Sequence, residues 1–281
     1  MRAFFVRLGV ALIAACCVSG CSVINRIRAK NEINEGARAY HERKYAEAQQ
    51  HFERALELDP EQKNAQFFIA RAIHAQYKPG VDTPENIAKA EAAIEAYKKV
   101  LEHDPNNDEA YNAVAYLYGA IKQDDKQRDW IMQRANLQTI PPEKRAEAYT
   151  VLASKEWQCS YTITEQQENK QTVMKDGKAI IQYKKPKNQA DFDQALRCAT
   201  HGLELINKAI ELNPNSESAW SYKTNLLLEM VKLAEMEGNA EKRAQYDKQY
   251  KEAQEMTLKL SEEARRRREA EAKKSPAQKA S

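Results

Sequence analysis

The chain has 281 residues, with 44 Lys and Arg against 41 Asp and Glu, so it is nearly neutral and implies no general polyanion partner such as nucleic acid. Eight Gly, nine Pro and 30% charged residues sit in a composition rich in Ala, Glu, Lys, Gln and Leu. Such a composition predicts helices joined by short connections and argues against one thick globular core. In chain order, Arg2 and Arg7 frame the start, an apolar run extends from Leu8 to Val18, and Ser19, Gly20 and Cys21 follow. A charged start, about ten apolar residues and small residues before a cleavage point form an export leader, too short to cross a hydrocarbon layer of roughly 30 Å.

Val18-Ser19-Gly20-Cys21 resembles the bacterial lipobox. The resemblance implies a cleaved leader over 1–20, a diacylglycerol on the Cys21 sulfur and a further acyl chain such as palmitate on its amine. Two or three chains hold a protein stably where one holds it only reversibly. Removing Arg2 and Arg7 with the leader leaves the mature chain close to neutral. Residues 21–30 are expected to be the lipid-anchor tether, at most about 35 Å of extended chain. By the sorting rule of Gram-negative lipoproteins, Ser22 after the lipidated Cys favours the periplasmic face of the outer membrane, with the inner membrane and the cell surface left open.

From Asn31 to Asp59 the chain carries Gly36, Tyr45, Ala48, Phe52 and Ala55, and it closes on Ala55-Leu56-Glu57-Leu58-Asp59-Pro60. The same ending returns as Val100-Leu101-Glu102-His103-Asp104-Pro105 and as Ala209-Ile210-Glu211-Leu212-Asn213-Pro214. The pattern resembles the tetratricopeptide repeat, a helix-turn-helix unit of about 34 residues with small side chains where its helices touch. Gly36, Ala70, Ala115 and Ala153 fall at the close approach of each first helix, and Pro60, Pro105 and Pro214 stop second helices because proline cannot continue the hydrogen bonding. The expected fold is all-α, a solenoid of about five helical hairpins over 31–260, with a basic helix end and disordered tail over 261–281. The second hairpin carries a long turn around Lys78 to Pro84.

The fourth repeat departs most from the pattern. Its first helix is expected from Ala146 to about Trp157, followed by an insert over 158–188. Ser160 to Thr164 and Lys178 to Tyr183 are rich in β-branched and aromatic residues, and Asp176-Gly177 is a tight-turn signal, so a small β-hairpin is expected there. Cys159 and Cys198 flank the insert. Outside the cytosol a disulfide between them is the default reading, with a redox-active pair as the alternative.

Little here suggests catalysis. His41, His51, His74, His103 and His201 are scattered over different repeats without metal-ligand spacing, and no phosphate loop or nucleophile motif occurs. The expectation is therefore no metal, no cofactor, no small-molecule substrate and no enzyme. Arg265 to Arg268 read as cations near a helix C-terminus, or as a contact for anionic lipid or cell-wall polymer. Phe67, Arg71 and His74 share one helical face, as do Asn112, Tyr116 and Gly119, then Thr150, Ser154 and Trp157, then Ser221, Asn225 and Leu228. By the repeat resemblance these faces line a groove for a protein or peptide partner; packing between repeats is the competing use of the same positions. The expected function is a lipid-anchored scaffold. The alternatives are an assembly lipoprotein of an outer-membrane, pilus or secretion machine, and a structural protein acting through the insert and basic tail.

Overall fold

The computed structural model describes residues 2–62 and 64–274, with side chains for 22–62 and 64–272. The leader side chains, Cys21 and the tail 275–281 lie outside the described residues, so the lipidation site does too. Among the described residues there are ten helices: α1 (Arg2–His41) pairs with α2 (Tyr45–Leu58) and α3 (Ala65–His74) with α4 (Pro84–His103), and α5 (Asp108–Ala120) and α6 (Asp124–Asn136) follow in sequence. They continue as α7 (Pro142–Thr164) with α8 (Gln189–Leu212) and α9 (Glu217–Met236) with α10 (Ala240–Lys274). The fold is all-α and built of helical hairpins within each unit, as expected, apart from one small two-stranded sheet. The chain divides into two compact units, Met1–Gln127 and Arg128–Ser281.

The three recurrent endings fold alike. Asp59, Asp104 and Asn213 leave their helices with φ −142, −134 and −144°, and each donates its backbone N–H to the carbonyl four residues back. The proline after each forces this extended turn, because its ring excludes the helical region for the residue before it. New helices start on side-chain caps: Asn107 accepts from the Ala110 N–H and Ser216 from the Ala219 N–H. The long turn of the second hairpin is held by buried Asn86, which accepts from the Lys78 N–H and donates to the Lys78 and Val81 carbonyls.

In the first unit, Ala39, Ala48, Phe52, Ile69 and Ala72 form a core joining α1, α2 and α3. In the second, Ile163, Phe192, Ala195, Ala199, Met230 and Leu233 join α7, α8 and α9. Small residues set the spacing in both. A Cβ on Gly36 would lie 2.6 Å from the Phe52 ring, and one on Gly202 would lie 2.5 Å from Leu226 and 3.0 Å from the Glu156 Cβ. Gly202→Val is therefore expected to lower stability by about 1–3 kcal/mol through overpacking, checked by the urea midpoint of the purified chain. An unchanged midpoint would show that α8 can move away from its neighbours without cost.

Two segments differ from expectation. Residues 22–30 are not an extended tether: they are helical and continue into the first repeat, with Ala29 buried and Arg26 ion-paired to Glu61 at 3.2 Å. Ser160 to Thr164 are not strand but the last turns of α7. Their β-branched character suggested a strand, but Ser160, Ile163 and Thr164 recur at helical spacing and are buried, so tertiary packing overrides the local preference. The hairpin is instead β1 (Lys170–Lys175) with β2 (Lys178–Tyr183), antiparallel from Lys170 opposite Tyr183 to Lys175 opposite Lys178. The expected turn is present, with Asp176 and Gly177 at φ 51 and 74°. Cys159 and Cys198 are disulfide-bonded, with 6.1 Å between their Cα atoms, and tie α7 to α8.

Candidate binding faces

In the first unit the sequence-selected residues Phe67, Arg71, His74 and Tyr116 come together. The Arg71 guanidinium lies 5.6 Å from the centre of the Tyr40 ring and 5.9 Å from that of Phe67. The His74 ring stands 5.8 Å from Tyr97 and 5.9 Å from Tyr116, and its Nδ1 is 3.2 Å from the Tyr97 hydroxyl. Phe67 meets Tyr97 with ring centres 6.1 Å apart. Tyr116 is about half exposed and Asn112 is open on the same helix, whereas Gly119 lies beneath the Gln127 side chain.

Beside Arg71 is a pocket of about 220 Å³ with an apolar floor of Ile33, Ala37, Phe52 and Phe68 and a rim of Tyr40, His41 and Arg71. Sequence reasoning missed the first-repeat part of it, although the signal was available. Phe67, Arg71 and His74 sit three before, one after and four after the small residue Ala70; the same offsets from Gly36 give Ile33, Ala37 and Tyr40. Tyr97, on the second helix of its hairpin, was not recoverable from that spacing.

Arg71 supplies a cation on this face. Among the described residues no carboxylate is ion-paired to it, and its guanidinium carbon lies over the Tyr40 and Phe67 rings, a cation–π arrangement. Burial, reinforced by the Arg71 charge, lowers the pKa of His74 below its usual value, so its imidazole is neutral at neutral pH. Burial pushes the Tyr97 phenol up to about 12, which keeps it a neutral hydrogen-bonding group. The arrangement is an aromatic surface with one fixed cation and an adjoining apolar pocket. It suits an apolar side chain next to an acidic group.

The second unit holds a separate aromatic cluster. Trp157 lies 5.1 Å from the Tyr161 ring and 6.0 Å from Tyr222. Ser154, Ser221 and Asn225 are half-buried and Leu228 is exposed, but Thr150 is not available to a ligand: it is buried and its hydroxyl donates to the Ala146 carbonyl at 2.8 Å. That back-bond is the usual use of a threonine inside a helix.

Below this cluster is a charged network that sequence reasoning did not find. Glu229, 1% exposed, accepts from Lys232 Nζ at 2.6 Å, Thr164 Oγ1 at 2.6 Å and Ser160 Oγ at 3.2 Å. Lys232 also donates to Glu165 at 2.6 Å, and Glu165 accepts from the Tyr183 hydroxyl at 2.8 Å and from Lys170 at 3.0 Å. Every charge has its partner, and the foot of the hairpin is thereby fixed to α7 and α9. Arg265, Arg266 and Arg267 in α10 are likewise paired, with Glu269, Glu262 and Glu263 one turn away. Among the described residues no cluster of His, Cys, Asp and Glu could hold a metal ion.

Comparison with known proteins finds repeat families in three segments of the chain. Two profiles described as tetratricopeptide repeat match residues 30–62 and 96–129, and one described as protein prenyltransferase alpha subunit repeat matches 200–230. Among solved structures, MamA from Desulfovibrio magneticus RS-1 is 14% identical, with 81% of this chain and 96% of that one aligned and a TM-score of 0.38. Pseudomonas aeruginosa PilF is 16% identical over 86% of this chain and 99% of its own, with a TM-score of 0.37. YrrB, described as a TPR protein with an unusual peptide-binding site, is 12% identical over 82% and 90%, with a TM-score of 0.36. No curated protein sequence matches.

Proposed function

We propose that this chain, two segments of which match the tetratricopeptide repeat, is a non-catalytic, lipid-anchored scaffold of a bacterial envelope membrane that acts through protein–protein interaction. In this reading Cys21 carries the acyl chains, the repeats face the periplasm, and a partner protein presents an extended segment or helix to the Tyr40, Arg71 and Tyr116 face. The observation that carries it is Arg71, over the rings of Tyr40 and Phe67, with no ion-paired carboxylate among the described residues and adjoining a largely apolar pocket. Rigid aromatic and Arg anchors are the residues on which binding energy concentrates. The lipobox at Cys21 supports the anchor, since acyl chains hold the face near a membrane.

Photo-crosslinking in cells from Tyr116 tests the partner. A discrete envelope protein is expected, captured from Tyr116 but not from the exposed Glu57 position on α2, and Arg71→Ala is expected to lower recovery about tenfold or more. Equal capture from both positions, or recovery unchanged by Arg71→Ala, would remove this face from the mechanism.

A further inference from the structure

Helix α1 shows a second surface where it leaves Cys21. Val23, Ile24 and Ile27 are 58, 51 and 57% exposed, three large apolar side chains within two turns. At about 100° per residue they share an arc of about 100°, away from the stripe of Ala29, Ile33 and Gly36 that faces the first repeat. Arg28 and Lys30 fall on the two flanks of that arc, both exposed, and no acidic residue occurs from Ser22 to Asn31. An apolar arc flanked by cations is the pattern of a helix lying at a lipid interface.

The geometry points to a membrane-contact surface on these first turns, in which Val23, Ile24 and Ile27 enter the headgroup region and Arg28 and Lys30 meet anionic lipid phosphates. The inference rests on the reading of Cys21 as the lipidated residue. A helix rises about 1.5 Å per residue, so Val23 to Ile27 lie about 3–9 Å from Cys21 along the axis, within the depth to which interfacial helices bury. Acyl chains on Cys21 leave these side chains no other surroundings. Charge favours acidic lipid, because cations near such a surface are attracted to its phosphates. Because α1 continues unbroken into the first repeat, the anchor is a stiff mount. It keeps Tyr40 about 28 Å from Cys21 along the helix axis.

The test uses the full chain purified from bacterial membranes and placed in vesicles of brominated phosphatidylcholine and phosphatidylglycerol, with Cys21 acylation read by mass spectrometry. Ile27→Trp is expected to lose at least half of its added fluorescence to the brominated lipid, Glu57→Trp to lose none, and omission of phosphatidylglycerol to weaken the Ile27→Trp quenching. Equal behaviour of the two tryptophans would overturn the contact, and quenching indifferent to phosphatidylglycerol would overturn the role of Arg28 and Lys30. An unacylated Cys21 would defeat the anchor reading alone, since the same fluorescence readings on that protein still decide whether the surface meets lipid.

Discussion

Glu229→Ala is expected to destabilise the second unit by about 3–5 kcal/mol, measured as a fall in the urea midpoint, because it takes the more deeply buried of two carboxylates from the Lys232 ammonium and leaves Glu165 alone to balance it. Glu229 and Lys232 are 1% and 5% exposed, so water cannot replace the lost partner, and the Ser160 and Thr164 hydroxyls lose their acceptor at the same time. Replacing both charges, as Glu229→Leu with Lys232→Met, is expected to cost much less, since desolvating an ion pair consumes most of its attraction. Equal losses in the single and double variants would show that shape at this position, and not the weakened charge balance around Lys232, sets the stability.

The same network predicts an acid response. Burial by itself would raise the Glu165 pKa, but hydrogen bonds from Lys232, Tyr183 and Lys170 together with the Lys232 charge outweigh it and hold the carboxyl at about 2, below its ordinary 4.5. A depressed folded-state pKa gives stability that is complete above about 4.5 and is lost as pH falls toward 2. Burial opposes the charge on Lys232 too, yet the Glu229 charge and the hydrogen bonds that Lys232 donates to both carboxylates raise its pKa, so its contribution persists through neutral pH and fades only in strong alkali. Since Tyr183 and Lys170 belong to the hairpin, acid should release β1 and β2 before the helices melt. Hydrogen exchange of the strand amides between pH 5 and pH 3 reads this directly.

The parts of the molecule legible in sequence are those in which one residue type answers one physical demand. Pro60, Pro105 and Pro214 marked helix ends because no other residue restricts its predecessor in the same way, and Gly36 marked a contact because a Cβ would meet Phe52. Asp176-Gly177 marked the turn through its positive φ angles. Ser160 to Thr164 misled, since their buried hydroxyl partner, Glu229, is 65 or more residues away and periodicity in one segment carries no trace of it. Tyr97 and the Glu229 network were hidden for the same reason: each is defined by a meeting of distant helices. The continuous helix after Cys21 was hidden by a motif, because a lipidation signal says where chains attach and nothing about the stiffness of the residues beyond it.

Replacing both Cys159 and Cys198 with Ser is expected to cost up to about 4 kcal/mol in the chain-entropy model, because the bridge closes a loop with a sequence separation of 39. The loss should be local in character. The enclosed loop contains the end of α7, the whole hairpin and the start of α8, whereas the packing of Ala195 and Ala199 against α7 and α9 lies in the helices themselves. Helical circular dichroism at 25 °C is therefore expected to be unchanged while the unfolding midpoint falls and the β1 and β2 amides exchange faster. Wild-type protein treated with reductant should reproduce the variant, which separates loss of the bridge from any effect of the serine side chains. The network and the disulfide constrain the same element from two sides, Glu165 and Lys232 from α7 and α9 and the sulfurs across α7 and α8. Removing both should then cost more than the sum of the single losses, since either one alone still restricts the hairpin foot. Strict additivity in that double-variant comparison would mean that the hairpin is held by two independent attachments.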